Sequence, residues 1–409
     1  MKTILTFLAF LFTVCAAANA QVAPAAIAGA ASLNYSLGYS QTADFYGNGL
    51  GTQQKAIASG DLNYMNGNGR LPFAVAYGGG YIWTISGPSY STGLFQHLLL
   101  SQGIVWRKWH VTVSDDVNYT PQAPTTCFSG IPGLGEPNGG CSSTPPSDQS
   151  ILTLNTHVVS NAASGYIEHT LNYATTLTAG GSSELRRYPD GNGLNVNQLM
   201  ANAELTRRLN ARNSLTGTYM FTQFSYPDSG FSFLVNTGLL GFNRLWNAKI
   251  SSDISAGPEW KGSSNSAIVP SSITIAANAA VRYHYRFVTT SLNYIRAADS
   301  GGGYLLGAES DTVSAIYTQE FGKKLTIGFT GDYRHISGLR NNGVTNGKLG
   351  SAQVTRRFGR HFAAFANYTA IDQSSSSALP SNTLGTLLQV VGFGITYSPQ
   401  KTRLVRPDF

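Results

Sequence analysis

A large or aromatic residue followed by a short polar or basic turn recurs five times in the second half of the chain. The segments are Leu209-Asn210-Ala211-Arg212, Trp246-Asn247-Ala248-Lys249, Tyr283-His284-Tyr285-Arg286, Phe321-Gly322-Lys323-Lys324 and Phe358-Gly359-Arg360-His361. Successive spacings are 37, 37, 38 and 37 residues. A period of this size suits a solenoid or a propeller blade as well as a sheet of hairpins. The stretches between the turns favour hairpins. Each has room for two strands of about 11 to 14 residues, and a tilted membrane-crossing strand needs about 9 to 11.

Alternation supports strands with two unlike faces. Leu325, Ile327, Phe329 and Tyr333 oppose Thr326, Gly328, Thr330 and Asp332. Leu215, Tyr219 and Phe221 oppose Ser214, Thr216 and Thr218. Ile273, Ile275, Ala277, Ala279, Val281 and Tyr283 oppose Thr274, Asn278 and Arg282. One apolar and one polar face at period 2 is the pattern of a barrel with lipid outside and water inside.

Aromatic residues form two layers. Trp246, Tyr283, Phe321 and Phe358 mark the turns, and a tyrosine recurs late in the following strands at Tyr119, Tyr173, Tyr219, Tyr294, Tyr333 and Tyr368. Leu209 to Tyr219 and Phe358 to Tyr368 are each 10 residues apart. At about 3.3 Å per residue and a tilt of about 40–45°, that is about 24 Å along the membrane normal, the height of a lipid-facing band between two aromatic girdles. Less regular turns are expected near Asn68-Gly69, Arg107-Lys108 and Asn161-Ala162. Eight turns, an opening strand near 31–40 and a closing strand near 385–398 predict an all-β, antiparallel, up-and-down transmembrane barrel of about 18 strands. The ambiguity of 41–66 leaves 16 open.

The N-terminus sets the compartment. Lys2, an apolar run from Ile4 to Val14 and Ala18-Asn19-Ala20 predict a signal peptide over 1–20, too short for a spanning helix. Cys15 does not make a lipobox, because Phe12-Thr13-Val14 lacks the small residues that motif needs. The expected organisation is then a short periplasmic segment at 21–30, the barrel over 31–398 and a periplasmic tail at 399–409. Only 11% of residues are charged, against 45 glycines, 21 tyrosines and 20 phenylalanines. That balance fits an outer wall that meets lipid, and the expected location is the cell outer membrane.

Near the C-terminus, Gly392-Phe393-Gly394-Ile395-Thr396-Tyr397 resembles the β-signal read by the barrel assembly machinery, with Gly392, Ile395 and Tyr397 matching and Val390 departing from it. Over nearly all of 30–398 the chain resembles the broad group of porin-like β-barrels of the Gram-negative outer membrane. The resemblance implies a passive or export channel without a cofactor, its partners being membrane lipid, the assembly machinery and small hydrophilic or anionic solutes. It implies no nucleic acid and leaves a homo-oligomer open.

Basic residues gather at the tight-turn end. By alternation Arg208, Arg212, Arg282, Lys324 and Arg357 belong to the lumen face, near Glu204, Glu320 and Asp332. A ring of Arg and Lys favours anions, whereas a rim of charges that snorkel to water only keeps the turns soluble. Of 27 Lys and Arg one lies in the leader, which leaves the mature chain about +6 against its 20 acids. The longest loop, 121–149, holds six prolines and the pair Cys127 and Cys141, expected to form a disulfide. In the porins this chain resembles, the third outward loop folds into the pore; an exposed, stapled surface loop is the plainer reading.

No enzyme is expected. The seven histidines show no metal-ligand spacing, and no nucleophile motif or phosphate loop is present. Asp115-Asp116 is the one pair of acids that invites a catalytic reading, although paired acids at a strand end are usually solvated. The leading expectation is an outer-membrane pore for passive diffusion of small hydrophilic solutes, mildly anion-preferring. The rivals are an export barrel for an acidic polysaccharide and a non-conducting surface-binding barrel.

Overall fold

The computed structural model describes residues 31–399 apart from 48, 50, 68, 90, 91, 122–155, 266–268, 323, 340–342 and 377–384, and also the backbone of Thr402–Leu404. The expected signal peptide at 1–20, Cys127 and Cys141, Lys323 and the end of the tail lie outside the described residues.

Eighteen long strands form the wall. The first six are β1 (Ala31–Tyr46), β2 (Gly51–Asn66), β3 (Phe73–Ser86), β4 (Gly93–Val105), β5 (Trp109–Thr120) and β6 (Val158–Asn172). The next six are β7 (Thr175–Arg187), β8 (Val196–Arg208), β9 (Asn213–Tyr226), β10 (Phe231–Leu245), β11 (Ile250–Ser263) and β12 (Ser272–Tyr285). The last six are β13 (Val288–Asp299), β14 (Ala308–Phe321), β15 (Leu325–Gly338), β16 (Val344–Phe358), β17 (Phe362–Ser375) and β18 (Leu387–Tyr397). Each strand pairs antiparallel with its sequence neighbours, and β18 pairs with β1 from Leu37↔Tyr397 to Tyr46↔Leu388. Closure removes the sheet edge, which lipid would leave without hydrogen-bond partners.

A short β19 (Thr402–Leu404) pairs with Ala31–Leu33. Its register differs by one residue from that of β18, so the closing seam carries a one-residue bulge and runs beyond Tyr397. Part of the expected tail therefore continues the seam.

Two turn expectations need correction. Asn161-Ala162 lies inside β6, and the turn falls at Tyr173-Ala174, between β6 and β7. Tyr173 accordingly belongs to the turn layer and not to the upper layer. The third repeat turn is displaced by two residues to Arg286-Phe287, with Arg286 at φ 52°.

The faces follow the alternation. On β9, Leu215 and Tyr219 are exposed on the outside, while inward residues pass from half-buried Ser214, Thr216, Thr218 and Met220 to buried Thr222, Phe224 and Tyr226. Past the upper tyrosines the outward face turns polar. Arg296 follows Tyr294, His335 follows Tyr333, and Asp372 follows Tyr368. Both aromatic layers thus bound an apolar band, and the strands continue beyond it towards the loops.

The wall is not uniform. Pairing between β12 and β13 runs from Tyr285↔Val288 to Ala277↔Arg296 and stops there. Above this fork the Glu259 carboxylate accepts the Ala298 N–H at 3.1 Å, supplying a partner to a backbone group the ladder no longer serves. Lys261 reaches through to Glu309 at 3.0 Å.

Candidate functional site: the lumen and its outer mouth

The lumen is wide at the tight-turn end and packed at the loop end. On β16 the inward residues Thr345, Leu349 and Ser351 are buried, Gln353 and Thr355 are half-buried, and Arg357 is exposed. β17 repeats the gradient from buried Gln373, Ile371, Thr369 and Asn367 to half-buried Phe365 and Ala363.

Loops folded into the mouth contribute to this packing. The loop 300–307 between β13 and β14 turns inward through a short 3-10 turn at Gly301–Gly303, all three glycines at positive φ. A side chain would be strained there. The Tyr226 hydroxyl donates to the Ser300 carbonyl at 2.9 Å, and the Leu194 N–H donates to the Gly303 carbonyl at 2.7 Å. Leu194 follows β7 whereas Gly303 follows β13, so the contact spans a chord of the barrel mouth. Beneath it, Phe224, Tyr226, Phe231, Phe233, Val235 and Val269 form an apolar cluster on which Leu194, Leu306 and Leu339 pack. The loop 121–149, considered from the sequence as the constriction, lies almost wholly outside the described residues, and 300–307 narrows the mouth among those described.

Charges divide along the same axis. In the packed half, basic side chains that the sequence reading missed face inward beside acids. Lys55 pairs with Asp44, Arg186 with Glu184 at 2.9 Å, and Lys261 with Glu259 at 3.2 Å. Arg334 is buried on the inward face of β15. Alternation could have placed Arg186, but the misplaced turn at 161–162 obscured the facing of β6 and β7.

At the wide end the five expected lumen cations occupy these places. Arg208, Arg282 and Arg357 lie on inward-facing positions of β8, β12 and β16, while Arg212 and Lys324 sit in the turns. All are exposed, and none makes an ion pair among the described residues. Arg208 donates to the Tyr173 carbonyl at 2.9 Å. Glu204, Glu320 and Asp332 share the inward face.

Other basic residues of this end face outward and lie over aromatic rings. Arg244 is 4.2 Å from the Trp246 ring centroid, Lys249 is 3.6 Å from that of Tyr285, and Arg356 is 5.4 Å from that of Phe358. These hold the lower girdle at the interface. The outward-facing girdle positions Trp246, Tyr283, Phe321, Phe358, Tyr219, Tyr294, Tyr333 and Tyr368 are as alternation expects. In the closing strand Gly392 faces inward against Asn367, with Ile395 and Tyr397 outward.

Asp115 and Asp116 point to opposite faces of β5, so they do not form an acid pair. Asp116 faces the lumen and meets His97 at 3.0 Å. Asp115 faces outward and accepts from the Asn161 amide at 2.7 Å.

No family model and no curated protein matches the chain. Solved structures do match in fold. Pseudomonas aeruginosa OccK2 (OpdF) superposes with a TM-score of 0.50 at 13% identity, covering 92% of this chain and 100% of that one. OccK2 in complex with glucuronate gives 0.48 at 13%, with 91% and 99% covered. Acinetobacter baumannii OccAB3 gives 0.47 at 10%, with 91% and 99% covered. The chain is a closed antiparallel β-barrel of porin-like architecture. It has eighteen wall strands and a mouth narrowed by its own loops.

Proposed function

We propose that the barrel is a water-filled path for passive diffusion of small hydrophilic solutes across the outer membrane, with a mild preference for anions. The observation that carries this reading is the polar inward face, largely half-buried to exposed towards the turn end and largely buried towards the loop end. The mouth limits size and favours small solutes over a polymer. In the packed half Lys55, Arg186 and Lys261 are paired with acids, whereas Arg212, Arg282, Lys324 and Arg357 at the wide end make no ion pair among the described residues. Their field is spread across a broad, wet vestibule, where high dielectric weakens it, and this makes the preference mild.

Liposome swelling with the full mature chain tests the reading. Glucuronate, the solute in the OccK2 complex, should enter faster than an uncharged hexose of similar size. Equal rates remove the anion preference. No swelling from a folded barrel rejects the pore and favours a non-conducting surface protein.

A further inference from the structure

We propose that the outward wall from β8 to β11 holds one anionic phospholipid of the turn-side leaflet, an acyl chain lying in a glycine-floored groove and the phosphate meeting Arg207 and Arg244. The proposal rests on the placement of the barrel in the outer membrane, where the tight turns face the periplasm. The starting observation is the groove. Its volume is about 510 Å³, and Leu205, Gly217, Tyr219, Gly238, Leu240 and Pro258 shape it.

The ladder explains this shape. Leu205, Gly217, Leu240 and Ala256 are direct neighbours across β8 to β11, so one outward row sets a bare backbone between two leucines. The next row towards the loops runs Ala203, Tyr219, Gly238. The two glycines thus leave an oblique trough that passes between Tyr219 and Leu240. A Cβ at Gly217 would meet nothing within 4 Å, so the floor there is open. The Tyr219 hydroxyl donates to Asn236 at 2.7 Å, which leans the ring towards the loops and away from Gly217. On the far side Pro258 has no N–H to give, and the β10–β11 pairing passes from Thr237↔Glu259 to Leu240↔Ala256.

Depth agrees with an acyl chain. Gly217 lies four residues from the turn end of β9 at Asn213, and Gly238 seven from that of β10 at Leu245. At about 3.3 Å per residue and a tilt of about 40–45°, the trough rises from about 10 to about 17 Å above the turns, within an apolar band about 25 Å tall.

Charge selects the lipid. Among the described residues of β7 to β11 no acid faces outward, since Glu184, Glu204, Asp253 and Glu259 all lie on the inward face. Two arginines do face outward at the turn end. Arg207 is two residues below Leu205 on β8, and Arg244 is four below Leu240 on β10; both are exposed. Arg244 is stacked by its face on Trp246, and a guanidinium held so keeps its fork of N–H donors for phosphate oxygens. A zwitterionic headgroup brings its own ammonium to the same place and gains less.

Native mass spectrometry of the full mature chain, folded in detergent and titrated with phosphatidylglycerol or phosphatidylcholine of the same acyl chains, tests this. Phosphatidylglycerol should bind about tenfold more tightly, as two cations beside an anionic lipid allow. Arg207→Gln with Arg244→Gln should remove that difference and leave the weaker binding of the chain. Gly217→Leu, whose side chain fills the open floor, should weaken both lipids, with heat-modifiable gel mobility reporting the barrel. If that variant does not fold, the arginine pair carries the test. Equal affinity for the two lipids, or a preference that survives loss of both arginines, would overturn the headgroup site. Unchanged binding in folded Gly217→Leu would overturn the groove. Lipid binding is read without any transport, so its failure and the failure of the pore reading are separate results.

Discussion

Tyr226 and Ser300 are joined by a hydrogen bond of 2.9 Å from the tyrosine hydroxyl to the backbone carbonyl, tying the loop end of β9 to the start of the infolded 300–307 segment. The bond is buried and links positions 74 residues apart. A net hydrogen bond contributes about 1 kcal/mol, enough to alter how often a small loop lifts. Tyr226→Phe should therefore leave the barrel folded and increase current fluctuations through the mouth while ion preference stays the same. Single-channel noise analysis checks this; an unchanged trace would show that the loop is held elsewhere.

The glycine run of the same loop makes a stronger prediction. Gly303 sits at φ +82°, and a Cβ there would collide with the Tyr188 ring. Gly303→Val should displace the loop and raise single-channel conductance, with thermal stability of the barrel little changed, because the strand ladder is untouched. A fall in conductance would contradict the placement of this loop as the constriction.

At the β12–β13 fork, Lys261 is 4% exposed and lies between Glu259 at 3.2 Å and Glu309 at 3.0 Å. Breaking a buried pair by removing one partner costs about 3–5 kcal/mol, because the remaining charge is left unsatisfied. Lys261→Met should lower the urea midpoint of unfolding markedly. Adding Glu259→Gln should recover part of the loss, although the Ala298 N–H and the Thr274 hydroxyl, which both bond Glu259, limit the recovery.

Outward and inward cations should behave differently although they share one end of the barrel. Arg244 stacks on Trp246 outside the lumen, a contact of about 0.5–1 kcal/mol at an exposed site. Arg244→Ala should cost a little stability and leave the reversal potential in a salt gradient unchanged. Arg282→Gln with Arg357→Gln should move that potential towards zero with little effect on stability.

The barrel was legible wherever the outer wall is bulky. Phe329, Tyr333, Phe358 and Tyr368 alternate cleanly with small polar residues, so strands, turns and girdles could be counted there. On β6 the lipid face carries Asn161, Ala163 and Gly165, and the contrast between faces vanishes. This is why the sequence predicts a turn at 161–162, while the actual one, Tyr173-Ala174, lacks a glycine or a basic residue to announce it.

The candidate site was legible only in part. Arg208, Arg282 and Arg357 could be placed by parity, because facing within a strand is local. The narrowing by 300–307 could not, because it depends on Tyr188, Leu194, Tyr226 and Phe233, which are far away in sequence. Asp115 and Asp116 show the limit of reading neighbours as a pair: in a strand, adjacent side chains serve different solvents.

Single-channel recording of the refolded mature chain under a salt gradient tests the central claim most directly. The account predicts steady current with a reversal potential on the anion side, reduced by Arg282→Gln and Arg357→Gln together. A folded barrel that carries no current at any voltage would contradict it.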